Sequence, residues 1–161
     1  MATQKPLVII NGQIQQIPSG DTLAAAATEV DVVAKTNDNA GAILIGMPVY
    51  VKSNGNVDKA NAAAAGSAKV LGLVKDASIA ASGSGYIQTD GVLSATTAEW
   101  DEVTGETGGL TAGAVYFLST TAGGLTQTAP SGSGQFVMKV GMAISTTEFE
   151  IDTDRGGVLL A

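Results

Sequence analysis

The 161-residue chain contains no cysteine and no histidine. Without cysteine it has no disulfide and no thiolate for nucleophilic or metal chemistry. Without histidine it lacks the usual imidazole base and a common metal ligand. These absences favour a structural or binding protein over an enzyme, and they lead us to expect neither a cofactor nor a metal ion.

Positive charge is also scarce. Eight Lys and Arg stand against fifteen Asp and Glu, giving a net charge of −7, which disfavours binding to nucleic acids and anionic membranes. The longest apolar run, residues 42–51, is about half the roughly 20 residues that a membrane helix needs. The N-terminus lacks a signal-peptide pattern, so we expect synthesis in the cytoplasm and no nucleic-acid or membrane partner.

Glycine and aliphatic residues are what the chain has in quantity. It contains 21 glycines, 45% of its residues are hydrophobic, and only 4% are aromatic. Short aliphatic and β-branched runs alternate with turn residues, as in all-β proteins. The pattern predicts an all-β fold, a compact β-barrel or sandwich of short strands and hairpins, with an extended N-terminal arm.

Two stretches of the chain look alike. Residues 41–57 read GAILIGMPVYVKSNGNV and residues 109–125 read GLTAGAVYFLSTTAGGL. Each predicts a strand, a tight turn and a second strand, and each precedes a strand with a central glycine, Gly72 or Gly141, a feature typical of bulges. We predict a duplicated hairpin unit, about residues 41–75 and 109–143, within a β-domain of residues 24–161. Pro48 predicts an edge strand or a bulge in the first copy.

The N-terminal segment has the pattern of a hairpin. Residues 5–17 read KPLVIINGQIQQI, and Asn11-Gly12 is a strong signal for a two-residue hairpin turn. The hairpin belongs either to the main sheet or to an arm, residues 1–23, that docks on a partner. In the second interpretation the partner-binding residues are the apolar ones: Leu7, Val8, Ile9, Ile10, Ile14 and Ile17.

Four further patterns carry predictions. Asp90-Gly91, between two short runs, predicts another two-residue hairpin turn. Trp100, surrounded by acidic residues in a short helix or capped loop, either anchors a core or interface or forms a sugar-binding face with Tyr86 and Tyr116. The apolar tail, residues 158–160, requires burial in its own domain or against a partner. Residues 152–157, DTDRGG, open like a calcium loop but lack its later acidic ligands, so a polar turn is expected.

Several of these motifs resemble a known family. KPLVIINGQIQQIPSGDTL is similar to an N-terminal segment of many tailed-bacteriophage virion proteins, and blocks such as KVLGLV, GYIQTDGVL, EWDEVTG and VGMAIS resemble small phage structural proteins. The hairpin-and-glycine layout is similar to that of capsid decoration (cement) proteins. The resemblance implies a homotrimer that binds the major capsid protein on the virion's capsid surface. The alternative is a tail fibre or baseplate component that docks through its N-terminal segment.

Overall fold

The computed structural model describes residues 7–10, 13–16, 31–153 and 156–160. The predicted boundary between arm and domain, at residues 23 and 24, lies outside these ranges. The elements, in chain order, are β1 (Leu7–Ile10), β2 (Gln13–Gln16), β3 (Val32–Thr36), β4 (Ile43–Leu44), β5 (Pro48–Val51), β6 (Val57–Lys59), β7 (Val70–Val74), β8 (Ser78–Ile79), β9 (Ser84–Gln88), β10 (Gly91–Ser94), α1 (Thr97–Thr104), β11 (Val115–Leu118), β12 (Leu125–Thr126), β13 (Phe136–Val137), β14 (Lys139–Ala143), β15 (Glu148–Ile151) and β16 (Val158–Leu159).

Two five-stranded antiparallel sheets make up most of the fold. Sheet I has the strand order β3-β9-β7-β5-β6, and sheet II has the order β10-β15-β14-β11-β12. Two-stranded ribbons, β4–β8 and β13–β16, accompany them. The all-β prediction is confirmed. Among the described strands neither sheet closes into a barrel, so the sandwich is the alternative that fits. Within the same residues, no helix is both long enough and apolar enough to cross a membrane.

The two stretches that look alike in sequence have matching ladders. In sheet I, Pro48 pairs with Leu73 and Val49 with Gly72, and the register then shifts. In sheet II, Val115 pairs with Met142, Tyr116 pairs with Gly141, and the register shifts at the same point. The same bulge therefore occurs at equivalent positions of both sheets.

The glycines of these strands explain the matching geometry. A Cβ atom at Gly72 would overlap the carbonyl oxygen of Gln88, and one at Gly141 would overlap that of Glu150. Gly46 and Gly113, which precede the first strand of each ladder, both have a φ of 77°, a left-handed conformation that glycine adopts without strain. Gly72 and Gly141 therefore leave no room for a side chain, and Gly46 and Gly113 adopt a backbone conformation that other residues disfavour.

Pro48 lies at the start of β5, where the missing amide hydrogen is tolerated. Strand β5 lies between β7 and β6, so it is an interior strand of sheet I. The bulge between Val49 and Tyr50 follows immediately. Of the two predicted consequences of Pro48, the bulge is observed and the edge position is not.

The predicted hairpin at Asp90-Gly91 is wrong. Strand β9 belongs to sheet I and β10 to sheet II, so the chain crosses between the sheets at this point. Gly91 has a φ of 77°, but Asp90 is not among the residues with positive φ, as a type I′ turn would require. The Gln88 Nε2 atom donates to the Asp90 carbonyl (3.0 Å), and the Gly91 amide donates to Asp90 Oδ1 (2.8 Å), which stabilises the crossover.

The larger core contains residues of both sheets. Trp100, Tyr116 and Phe149 are fully buried at its centre, with the Phe149 ring 5.6 Å from Trp100 and 5.9 Å from Tyr116. Val70 and Leu73 of sheet I belong to the same cluster. A smaller aliphatic core lies on the other side of sheet I and consists of Ile43, Val49, Val57, Val74, Ile79 and Ile87.

Candidate partner-binding surfaces

The N-terminal hairpin is a two-stranded sheet of its own. Leu7 pairs with Gln16, Ile9 with Ile14, and Ile10 with Gln13, so two residues separate the strands. The predicted hairpin is confirmed, and among the described strands it joins neither five-stranded sheet. The alternative that made it part of the main sheet is therefore wrong. Of the predicted contact residues, Leu7, Val8, Ile9 and Ile10 lie in β1 and Ile14 lies in β2, while Ile17 lies outside the described residues.

A second surface lies on the outer face of sheet II. Val92 pairs with Glu150, Glu150 with Met142, and Met142 with Val115, which forms one row across four strands. The three apolar side chains of this row are 36–38% exposed. Ile144, two residues beyond Met142 along the chain, is 48% exposed. We call Val92, Glu150, Met142 and Val115 the outer row.

The equivalent row of sheet I is largely buried. It consists of Val32, Gln88, Leu73 and Pro48, paired in the same order across the equivalent strands. Leu73 and Gln88 are almost fully buried, and Leu73 belongs to the core shared by both sheets. Pro48 is also buried, whereas Val32, at the edge of the sheet, is 39% exposed. The three inner positions of the row are therefore a packing surface in one copy of the repeat and a solvent-facing surface in the other.

A third surface surrounds the apolar tail. Strand β16 pairs with β13, yet Val158 and Leu159 are 62% and 58% exposed. A pocket of about 320 Å³ lies nearby, and a Cβ atom at Gly157 would lie 2.9 Å from the Cε atom of its lining residue Met138. Of the two alternatives for the tail, burial within its own domain is therefore wrong for these two residues. We call the exposed and half-buried residues of this region the tail surface: Val51, Lys69, Leu71, Val158 and Leu159.

Acidic residues around Trp100 stabilise local structure. Glu99 Oε2 accepts hydrogen bonds from the Thr96 amide (2.8 Å) and hydroxyl (2.7 Å), completing the N-terminal capping box of α1. These bonds favour the carboxylate and hold the pKa of Glu99 below its ordinary value. Asp101 accepts from the amides of Gly108 and Gly109, and Glu106 accepts from the Gln127 side chain. The arrangement is that of a capped helix and its following turn.

The proposed sugar-binding face does not form. Trp100 and Tyr116 are fully buried, whereas Tyr86 is 53% exposed on β9. The Trp100 Nε1 atom donates to the Thr147 carbonyl (3.1 Å), and the Thr111 amide donates to the Tyr116 hydroxyl (3.0 Å). Because aromatic rings bind sugars only when they are exposed together, this interpretation is wrong and Trp100 is a core anchor.

A small ion-pair cluster lies on the surface of the β5–β6 hairpin. The Lys52 Nζ atom lies 2.6 Å from Asp38 and 3.8 Å from Asp58. The Lys52 ammonium holds the pKa of Asp38 below its ordinary value, and the pKa of Lys52 is raised in turn. Solvent and salt screen such an exposed pair, so it contributes little to stability. The cluster connects the loop after β3 to the β5–β6 hairpin.

The described part of the chain contains no group of three acidic residues close enough to hold an ion. In the sequence that opens like a calcium loop, Asp152 accepts a hydrogen bond from Lys139 Nζ (2.5 Å). Asp154 and Arg155 lie outside the described residues.

The sequence missed the outer row because its members are distant along the chain. Val92, Met142 and Val115 become neighbours only through the ladders of sheet II. A weak local signal exists in β15, where Glu148 and Glu150 alternate with the buried Phe149 and Ile151 and so mark the outward face.

No protein-family model matches the chain, and no curated protein matches it either.

Proposed function

We propose that this chain is a bacteriophage structural protein that decorates and stabilises the outer surface of the capsid by binding at subunit junctions. The sequence resemblance of residues 5–23 and of the strand-and-glycine blocks to phage virion proteins supports this proposal. The structural observation that supports it most is the N-terminal hairpin, a separate sheet with the apolar sequence LVII in its first strand. A strand of this kind can extend a neighbouring sheet through backbone hydrogen bonds.

The surfaces of the sandwich fit a binding role. Two of its regions, the outer row and the tail surface, expose apolar side chains to solvent. The acidic residues around Trp100 instead form hydrogen bonds that stabilise α1 and the turn after it. Exposed apolar patches of this kind often mark protein–protein contacts. We therefore propose a structural protein without catalytic activity, whose partners are the major capsid protein and further copies of itself, as a homotrimer.

The net charge supports assembly on a capsid from freely diffusing copies. At −7 the copies repel one another at long range, which limits indiscriminate association before the specific contacts form. At short range the hairpin and the apolar surfaces supply the attraction. The place of action in this proposal is the capsid surface of the virion, and the chain needs neither cofactor nor metal for it.

Binding of the chain to capsids that lack it tests the proposal. The variant Ile9→Asp places a charge in the hairpin at the position paired with Ile14. We expect it to bind purified capsids at least tenfold more weakly than the unaltered chain, while its far-UV circular dichroism is unchanged. The matched control is Gln15→Asp, which introduces the same charge in the same hairpin at a polar position. Equal binding by Ile9→Asp and the unaltered chain would refute the docking role.

Counting the chain in intact virions by cryo-electron microscopy tests the location. Capsid decoration predicts hundreds of copies distributed over the head, each with its hairpin against the capsid lattice. Three or six copies on the tail would instead establish the tail fibre or baseplate alternative. Absence from the particle would refute both.

A further inference from the structure

The internal duplication shows what the outer row is suited for. The equivalent positions in sheet I, Gln88 and Leu73, are nearly fully buried, and Leu73 lies in the core shared with sheet II. In sheet II the row keeps apolar side chains at three of its four positions, although it faces solvent. Sheet I thus uses the inner positions of this row for packing. Sheet II leaves the equivalent positions uncovered, although most of them are still apolar.

The charge on the row limits what can cover it. Glu150 lies between Val92 and Met142, and Glu148 lies two residues away on the same face of β15. In the described part of the chain, Glu150 has no ion-pair partner. A symmetric contact of two outer rows would bury two Glu150 carboxylates in one small interface, and burying an uncompensated charge is costly. The row requires a partner surface that is apolar and carries a cation.

The tail surface has these two properties. It presents Val158, Leu159 and Val51, which are 62%, 58% and 42% exposed. Lys69 lines the adjoining pocket beside Val51 and Leu71, and it is exposed. Among the described residues Lys69 has no ion-pair partner. Outer row and tail surface therefore complement each other in both apolar character and charge.

We propose that the outer row of one copy docks on the tail surface of a second copy, with Glu150 pairing with Lys69 across the contact. Because every copy carries both surfaces, the contact is head-to-tail, and it generates a ring when the rotation between neighbours closes. This inference rests on the self-association within the proposed function and identifies the two surfaces responsible. It does not depend on where in the virion the chain is located.

Charge reversal on the full chain, followed by light scattering during size-exclusion chromatography, tests the pairing. The unaltered chain is expected to be oligomeric at micromolar concentration. Glu150→Lys and Lys69→Glu should each weaken self-association at least tenfold, because each places like charges together. The double variant, E150K with K69E, should restore it. The matched control is Glu102→Lys on α1, which makes the same charge change outside both surfaces and should leave the oligomer intact.

The fluorescence of the buried Trp100 shows whether each variant is folded. Single variants that stay oligomeric, or a double variant that stays monomeric, would overturn the pairing of Glu150 with Lys69. Neither result would bear on capsid binding, which the Ile9→Asp variant tests separately. A monomeric unaltered chain would overturn self-association altogether. If Glu150→Lys then also abolished capsid binding, the outer row would contact the capsid lattice instead of a second copy.

Discussion

Gly72 and Gly141 are equivalent residues that allow two strands to approach closely. At each position a methyl group would overlap a backbone carbonyl oxygen of the neighbouring strand, β9 or β15. A flexible side chain could move aside, but a backbone carbonyl can move only together with its strand. The ladder would therefore have to shift, and the shift would spread to the core side chains on both strands.

Gly72→Ala and Gly141→Ala should each destabilise the protein by about 2 kcal/mol or more, as expected for overpacking in a tightly packed interior. The free energy of unfolding in urea measures the effect. Gly66→Ala is the control, because a Cβ atom there has no neighbour within 4 Å and the residue is exposed. Similar stability of all three variants would show that the strands are not in close contact.

Asn37 shows what a sequence does not reveal at the residue scale. The side chain is fully buried, and its Nδ2 atom donates to the carbonyls of Gly41 (2.9 Å) and Ile79 (2.8 Å), while its Oδ1 accepts from the Asn39 amide. In the sequence TNDNAG it is one of two asparagines typical of a turn. Its contact with Ile79, 42 residues away, depends on tertiary structure alone.

At the scale of the element, α1 is a short helix with complete caps. Thr96 and Glu99 form the capping box, and Gly105 ends the helix with a φ of 70°. Eight residues are too few for a stable isolated helix. The burial of Trp100 and Val103 and the two caps together keep it helical.

Thr96→Ala should therefore destabilise the protein by about 1 kcal/mol, the usual effect of losing an N-cap. Thr104→Ala is a comparison at the other end of α1, where the hydroxyl donates to the Trp100 carbonyl (3.0 Å) and makes no N-terminal cap. Thermal unfolding followed by circular dichroism compares the two. A larger effect of Thr104→Ala would contradict the importance of the cap.

The capping box also makes stability depend on pH. Because hydrogen bonds from Thr96 lower the pKa of folded Glu99, its stabilisation is fully present above the pKa of unfolded Glu99. It is lost as the pH falls through the lowered folded pKa. Glu99→Gln keeps an acceptor without the charge. We expect this variant to lose less stability than the unaltered chain between pH 7 and pH 3 in urea unfolding, and an equal loss would contradict the role of Glu99.

Local signals predicted those elements whose partners are close in the chain. Asn11-Gly12 gave the β1–β2 hairpin, and Gly72 and Gly141 marked two strands with the same bulge. Asp90-Gly91 misled, because β9 pairs with β3 and β7 of sheet I and β10 pairs with β15 of sheet II, instead of with each other. The exposure of β16 and the alignment of the outer row also depend on distant strands, which no local pattern encodes.

At the scale of the whole molecule, the two sheets share one core. Val70 and Leu73 of sheet I lie in the same cluster as Phe149 and Ile151 of sheet II. Trp100 also touches the first repeat, since a Cβ atom at Gly46 would lie 2.7 Å from its ring. Neither sheet can lose its structure without exposing this core.

We therefore expect residues 31–153 to unfold in a single transition. Trp100 is the only tryptophan, and its emission should be blue-shifted and protected from acrylamide. In urea, its fluorescence and the far-UV circular dichroism should change with the same midpoint. Separate midpoints would show that the sheets unfold independently.

The strand order also has a consequence during synthesis on the ribosome. Sheet I draws its strands from residues 32–88, whereas sheet II needs β15, which ends at Ile151. The intervening stretch of roughly 60 residues takes about 3–12 seconds to translate. During that time the face of sheet I with Leu73 and Gln88 has no cover. A nascent chain released in this interval would expose this apolar face to solvent. It would bind chaperones or aggregate, and it would not form a smaller folded domain.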